Sequence, residues 1–288
     1  MKNIITSLFV YKSNLYLSYL NGKIVQQHVD TKYKKSESIS FTPIFDFDNT
    51  IVLDIKAYKN RFYILTRDGL YEYHNQLTKK IKEISDAQVI AIDSVLKILF
   101  IVSDTRGLIG INLRNNRFID DINLDIFNKT GDDENIVSIT SIVASAGVIF
   151  LSILNAGIFR IDYKKKEFSF KYKTLHKLEI KNPQDIFFNE KEKQLVIVDF
   201  DYGLVIINIE NENTNNYRLP NDDIPNTVKL VKTYNKTYYV IQARNGLYKF
   251  DPGNEEFIKI REERTSNLTT YFNKLFFTQK GQLNTIDI

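Results

Sequence analysis

Two aspartates one residue apart, followed by a threonine, stand in FDFDNTIVLD (Phe45 to Asp54). Carboxylates at Asp46 and Asp48 with the hydroxyl of Thr50 could gather Mg²⁺ and an in-line phosphoryl group. That chemistry needs carboxylates brought together where parallel strand ends meet at one edge of a sheet. Between Thr50 and Arg61 lie only the ten residues IVLDIKAYKN, which alternate like a strand. A crossover between parallel strands takes a dozen residues or more, usually helical. Asp46 to Asn49 therefore reads as a polar turn between two units of structure. The three histidines, His28, His74 and His176, show no metal-ligand spacing, and with no cysteine in the chain no thiolate site or disulfide can form. No Walker loop, dinucleotide fingerprint or nucleophile elbow is present. The sequence calls for no cofactor and no catalytic residue.

The elements that must position any site come from a repeat. NLYLSYLNGKIVQQHVD, RFYILTRDGLYEYHN, KILFIVSDTRGLIGINL, GVIFLSILNAGIFRIDY, KQLVIVDFDYGLVIINI, KTYYVIQARNGLYKFDP and KLFFTQKGQLNTIDI share one plan. Each is an apolar run, a polar tip, a glycine, and a second alternating run. The glycines are Gly22, Gly69, Gly107, Gly157, Gly203, Gly246 and Gly281, spaced 35 to 50 residues apart. A glycine beside a tip suits a tight hairpin with positive φ, and the spacing suits one radial blade per repeat. An alternating stretch precedes each hairpin, as in IITSLFVYK or IVLDIKAYK, and a weaker one follows most of them, as in ESISFTPI and FSFKYKTL. The 37 phenylalanines and tyrosines favour strands as well.

The expected fold is all-β: a β-propeller of seven antiparallel four-stranded meanders in one domain spanning residues 1–288, with six blades as the alternative. The last repeat has room for only three strands, so closure by side-chain packing without a shared ladder is expected. LVIVDFDYGLVIINI, Leu195 to Ile209, resembles the bacterial LVIVD-type repeats. A WD-repeat signature cannot exist without tryptophan, and the paired glycines of kelch repeats are missing, so the likeness is one of WD-like architecture. FDFDNT is similar to the nucleophile loop of haloacid-dehalogenase-type phosphohydrolases, in which an Asp nucleophile, an Asp acid/base and a Thr follow one another. In that resemblance Thr66 and the acidic loop Gly131-Asp132-Asp133 would complete the site. It stays a remote alternative, because that family's helical core has no counterpart here.

Two constellations follow from the repeat. The hairpin tips bring Arg67, Asp68, Asp104, Arg106, Asp201, Tyr202 and Arg244 to one face, where arginine and tyrosine would serve as partner-binding anchors. The first strands carry Ser7, Asp54, Ser141, Asp185 and Asn267, expected to line a polar channel that holds water or a small ligand. The leading function is a non-enzymatic scaffold or accessory factor with a protein partner on the tip face. In architecture it resembles the accessory propellers encoded with bacterial respiratory enzymes, which would make the partner a respiratory-enzyme subunit or other client. The alternative is a ligand binder, hydrolase or lyase working in the channel through Asp54 and Asp185. A third reading, nucleic-acid binding at 32–35 and 164–166, gives way to solvated loops, the net charge being only +4. The N-terminal run is interrupted by Tyr11, Lys12, Ser13 and Asn14, so it reads as a strand and not a leader. No stretch is long enough to span a membrane. Those features place the protein in the cytoplasm, or in the periplasm where a native leader has been removed.

Overall fold

The computed structural model describes residues 4–29, 41–47, 50–104, 106–122, 138–165, 167–170, 174–175, 178–232 and 236–288. Asp48, Asn49, Gly131, Asp132, Asp133, His176, Lys166 and the cluster at 32–35 lie outside them. Every ladder between described strands is antiparallel, and each principal sheet is a meander in chain order. The fold is a seven-bladed β-propeller, with the short 3-10 turn at Pro220–Asp222 the sole helical element among the described residues.

Sheet 1 holds β1 (Ile5–Tyr11), β2 (Asn14–Tyr19), β3 (Lys23–His28) and β4 (Thr42–Asp46). Sheet 2 holds β5 (Val52–Tyr58), β6 (Arg61–Thr66), β7 (Gly69–His74) and β8 (Leu77–Lys82). Sheet 3 holds β9 (Ala87–Asp93), β10 (Ile98–Ser103), β11 (Gly107–Asn112) and β12 (Phe118–Ile122). Sheet 4 holds β13 (Ile139–Ser145), β14 (Val148–Ile153), β15 (Gly157–Asp162) and β16 (Glu167–Phe170). A two-residue pair follows, β17 (Thr174–Leu175) and β18 (Leu178–Glu179). Sheet 5 holds β19 (Pro183–Asn189), β20 (Gln194–Asp199), β21 (Gly203–Asn208) and β22 (Thr214–Tyr217). Sheet 6 holds β23 (Pro225–Lys232), β24 (Thr237–Ala243), β25 (Gly246–Asp251) and β26 (Glu256–Arg261). Sheet 7 has three strands, β27 (Ser266–Tyr271), β28 (Lys274–Gln279) and β29 (Gln282–Asp287), as the short last repeat predicts.

The chain divides into two compact units, one of residues 1–80 and 229–288, the other of 81–228. In the first, sheet 6 packs on sheet 7 through Val231, Val240 and Leu247 against Leu268, Leu275 and Phe277. Sheet 7 meets sheet 1 where Phe276 joins Ile5, Leu8, Leu15 and Leu17. No ladder joins these two sheets among the described strands; side chains close the contact, as the sequence predicts. Sheets 1 and 2 share an aromatic seam. Phe9 stacks on Tyr16 at 4.7 Å, and Tyr16 meets Phe62 at 4.9 Å. Such pairs add about 0.5–1.5 kcal/mol beyond burial, so this composition stabilises the seam as well as the strands. In the second unit, Phe100, Val102 and Leu108 of sheet 3 pack on Ile142, Leu151 and Phe159 of sheet 4. Phe150 and Ile158 of sheet 4 then meet Ile186, Ile197 and Val205 of sheet 5.

A bulge recurs near the start of the first strand. One residue is left out of register at Thr6, Leu53, Gln88, Thr140, Gln184 and Asn267. An unpaired residue bends its strand and re-aims its side chain. Three of these side chains stitch neighbouring sheets. Thr140 Oγ1 donates to the Pro183 carbonyl at 2.8 Å, and Asn267 Nδ2 donates to the Ile5 carbonyl at 3.1 Å. Gln88 Oε1 accepts from the Ile139 amide at 3.0 Å.

Candidate functional site

The hairpin tips are built on a buried polar residue that ends the second strand of a sheet. In sheet 2 this is Thr66, whose hydroxyl donates to the Gly69 carbonyl at 3.1 Å and accepts from the Asp68 amide at 3.2 Å. In sheet 3 the hydroxyl of Ser103 accepts from the Arg106 amide at 3.2 Å and donates to Asp86 Oδ2 at 2.7 Å. In sheet 5 the residue is Asp199, fully buried. It accepts from the amides of Asp201 at 2.9 Å, Tyr202 at 3.1 Å and Asn182 at 3.1 Å. Burial pushes the Asp199 carboxyl above the usual range, and these three amides pull the other way. Short polar side chains bonding their own turn are what hold such tips in one shape.

The glycines that follow are required. Gly203 has φ +84, and a Cβ there would lie 2.7 Å from the Tyr217 carbonyl oxygen. At Gly246, φ +153, the distance to the Arg261 carbonyl oxygen would be 2.1 Å.

A second layer ties each tip aspartate to the link or the first strand that enters the same sheet. Asp68 Oδ2 accepts from the Thr50 hydroxyl at 2.7 Å. Asp201 Oδ2 accepts from Asn182 Nδ2 at 2.6 Å, and Asp104 Oδ1 accepts from Gln88 Nε2. The Asp104 carboxyl is raised, chiefly by burial, with the Gln88 bond opposing and the Asp86 charge adding to the rise. The three tip aspartates expected at a binding face thus also hold the entering segments in place. Thr50 spends its hydroxyl on Asp68, and Asp46 ends β4 opposite Lys23 in the ladder. Among the described residues every ladder is antiparallel and no helix flanks this segment, whereas the phosphoryl reading calls for parallel strand ends meeting at one edge.

The tip side of the first unit is cationic and apolar. Arg67 and Arg244 are exposed at the tips of sheets 2 and 6, and Lys280 is exposed at the tip of sheet 7. Arg264 is exposed in the link entering sheet 7, the position from which Thr50 reaches its tip in sheet 2. None of the four makes an ion pair among the described residues. At the same end of sheets 1 and 2 are the exposed Ile4 (53%), Leu20 (43%) and Leu53 (38%), with the Leu20 amide bonded to the Ile4 carbonyl at 2.8 Å. In the second unit the tips carry a different set. Phe200 is 48% exposed beside Asp201, Tyr202 packs partly into the core of sheets 4 and 5, and Arg106 lies over the Phe118 ring at 5.8 Å.

The first-strand residues make internal bonds. Asp185 Oδ1 accepts from the Ile186 amide at 2.9 Å, while its Oδ2 accepts from Thr227 Oγ1 at 3.0 Å and the Val228 amide at 3.2 Å. Asp54 Oδ1 accepts from the Ile55 amide and from Lys56 Nζ, each at 2.8 Å. Ser7, Asp54, Ser141 and Asp185 share one register position just past the bulge. Asn267 stands one residue earlier, as the bulged residue itself with φ +51, and also reaches Thr278 Oγ1 at 3.2 Å. His74 Nδ1 lies 3.1 Å from the Asn60 carbonyl, and His28 is exposed. No group of three or more histidine, aspartate or glutamate side chains suited to a metal ion occurs among the described residues.

Sequence reasoning missed Lys280, Arg264 and the aliphatic trio of Ile4, Leu20 and Leu53. Lys280 and Leu20 could have been found by extending the tip alignment to the sheets whose tips lack arginine.

No family model matches the chain, and no curated protein does. Many solved structures do. A computationally designed protein, Ika8, aligns over 100% of this chain and 84% of its own, with a TM-score of 0.68 and 10% identity. Two crystal structures of one extracellular domain from B. thetaiotaomicron also align. One names it as part of a one component system: TM-score 0.73, 15% identity, covering 98% of this chain and 40% of that one. The other names a hybrid two component system: TM-score 0.70, 12% identity, 99% and 38%. The chain thus spans about 40% of the length of that extracellular domain. At such identities the likeness is one of fold, the propeller already described. No helix among the described residues is long and apolar enough to cross a membrane.

Proposed function

We propose that this propeller is a non-catalytic binding platform that captures a protein partner on its hairpin tips. The observation that carries the reading is the tip side of the first unit. Arg67, Arg244, Arg264 and Lys280 make no ion pair among the described residues and share that side with exposed Ile4, Leu20 and Leu53. Cations left without counter-charge beside exposed aliphatics suit a partner segment that is acidic around an apolar anchor. Arginine, a residue enriched at hot spots, supplies directional contacts, and the aliphatics supply area that a partner would desolvate. The tips are already held in shape by internal bonds, so little ordering cost is left for the moment of binding.

The first-strand carboxylates support this reading over channel chemistry. Asp185 is spent on an interstrand clasp and Asp54 on Lys56. A general acid or base would need a carboxylate available to a substrate. A respiratory-enzyme client would be one instance of such a partner. We propose a location outside the cytoplasm, a reading supported only by the printed name of a neighbour of this fold as an extracellular domain. Fractionation that found it wholly cytosolic would return the cytoplasmic reading. The binding reading is tested by capturing partners with the tagged wild type and with the Arg67→Glu/Arg244→Glu variant, identified by mass spectrometry.

A further inference from the structure

Next to each hairpin tip, one cross-strand row of side chains ends its sheet. In sheet 3 the row is Val102, Leu108 and Ile122, and in sheet 5 it is Val198, Leu204 and Tyr217. Sheet 6 puts Gln242, Leu247 and Arg261 in the same row. Residues directly opposite one another share a face. Leu247 packs on sheet 7, so Gln242 and Arg261 face sheet 7 too. Both reach it. Gln242 Nε2 donates to the Thr265 carbonyl, and Arg261 Nη2 donates to Gln279 Oε1 at 2.7 Å. Thr265 directly precedes β27 and Gln279 ends β28. The junction of sheets 6 and 7 is thus polar at the tips, where sheets 3 and 5 carry hydrophobic side chains.

Two atoms of this junction are left over. Arg261 Nε and Thr265 Oγ1 are buried with no hydrogen-bond partner among the described residues, and Thr265 is only 3% exposed. Buried polar atoms are normally paired, so an orphan in a native fold calls for an explanation. The guanidinium is held ready, since it lies over the Phe277 ring at 5.3 Å and Gln279 fixes its Nη2. Glu263 Oε2 stands 3.6 Å from that Nη2, beyond hydrogen-bond length, on a side chain that is exposed. Its neighbour Glu262 is paired elsewhere, with Lys259 at 2.6 Å. Around the junction the charge is positive. Arg264 adjoins Thr265, Lys280 adjoins Gln279, and Arg244 stands two residues past Gln242, all three exposed.

We infer that this junction is a carboxylate-binding site, which takes an acidic side chain of the partner. One carboxylate oxygen accepts from Arg261 Nε and the other from the Thr265 hydroxyl, and Glu263 swings outward to admit them. A guanidinium held in one plane matches a planar carboxylate, and charge-assisted bonds of this kind are stronger than neutral ones. Arg244, Arg264 and Lys280 steer the acid toward the junction. The site locates where an acidic partner is read, so it rests on the tips being the binding face.

The test uses the full chain and a short labelled peptide, one leucine flanked by glutamates, with an amidated C-terminus. Its control carries glutamine in place of glutamate. Fluorescence anisotropy should show saturable binding of the acidic peptide alone. In NMR the Arg261 Nε–Hε signal, identified by its loss in Arg261→Lys, should shift on binding. Thr265→Val removes a hydroxyl that bonds nothing among the described residues, so the melting temperature should hold while affinity falls about fivefold. Arg261→Lys keeps the charge but loses the planar fork, and affinity should fall about tenfold. Glu263→Gln should tighten binding about threefold, and Glu262→Gln, the same change of charge one residue away, by less. No saturable binding, or affinity unchanged in both Thr265→Val and Arg261→Lys, overturns the site. If those two variants bind like the wild type while Arg67→Glu/Arg244→Glu does not, the site falls and the tip reading stands. Partner captured at the wild-type level by Arg67→Glu/Arg244→Glu removes the tip reading, and with it the partner as the source of the acid, even where the peptide binds.

Discussion

Replacing Asp199 by alanine should destabilise the second unit more than any other single tip substitution. The carboxylate is fully buried and accepts from three backbone amides, those of Asn182, Asp201 and Tyr202. An orphaned buried donor costs about 1–3 kcal/mol, which for three donors would sum to roughly 3–9 kcal/mol. Asp201 is exposed and Tyr202 partly so, and water can reach those amides once the side chain is gone. The alanine variant also sheds a buried charge. The expected net loss is therefore about 3 kcal/mol, the low end of that sum. Urea unfolding followed by tyrosine fluorescence measures it, with hydrogen exchange at Asp201 and Tyr202 reporting the tip itself.

The pH dependence gives a second check on the same residue. Burial holds the folded carboxyl above its unfolded value. Folding thus takes up a proton between the two values. The stability this group supplies is greatest below the unfolded value, about pH 4, and is lost as pH rises through the folded one. The cost of Asp199→Ala should accordingly be larger below about pH 4 than at pH 7. A loss under about 1 kcal/mol, or a cost that grows with pH, would refute the assignment of Asp199 as a buried tip anchor.

Asp185→Ala should cost about 1.5–3 kcal/mol, since it releases Thr227 and the Val228 amide from a charged acceptor, and Asp185→Asn should cost less; chemical denaturation of the three proteins compares them. Gly246→Ala and Gly281→Ala should differ sharply, because the first Cβ would sit 2.1 Å from the Arg261 carbonyl oxygen while the second meets nothing within 4 Å. Only the left-handed conformation penalises the second, by about 1–2 kcal/mol, whereas the first should abolish soluble expression or lower the melting temperature far more. Asp104 should titrate above an ordinary aspartate in a carbon-detected NMR titration, and Asp86→Asn should bring it down by removing the neighbouring charge. Its share of stability is fullest below the unfolded carboxylate value and declines as pH climbs to the folded one.

Much of the architecture was legible because hairpins leave a local mark. The glycines from Gly22 to Gly281 recur at blade spacing, and the short final repeat after Lys274 shows a sheet of three strands. The bulge was not legible. Its extra residue is Thr6, Leu53, Gln88, Thr140, Gln184 or Asn267, with no shared chemistry, and so Asn267 was aligned one position out of phase. The links between tips and entry segments were hidden as well. Thr50 meets Asp68, Gln88 meets Asp104 and Asn182 meets Asp201 across 16 to 19 residues, a separation that carries no periodic signal.

The measurement that bears most directly on the proposed role is partner capture by the charge-reversed tips. Arg67 and Arg244 are exposed and outside any ion pair among the described residues, so their replacement by glutamate should change stability by no more than about 0.5 kcal/mol each. Captured partner should fall at least tenfold, a loss of about 1.4 kcal/mol or more in binding, with the melting temperature nearly unchanged. Partner recovered at the wild-type level by the Arg67→Glu/Arg244→Glu protein would contradict a binding role for these tips.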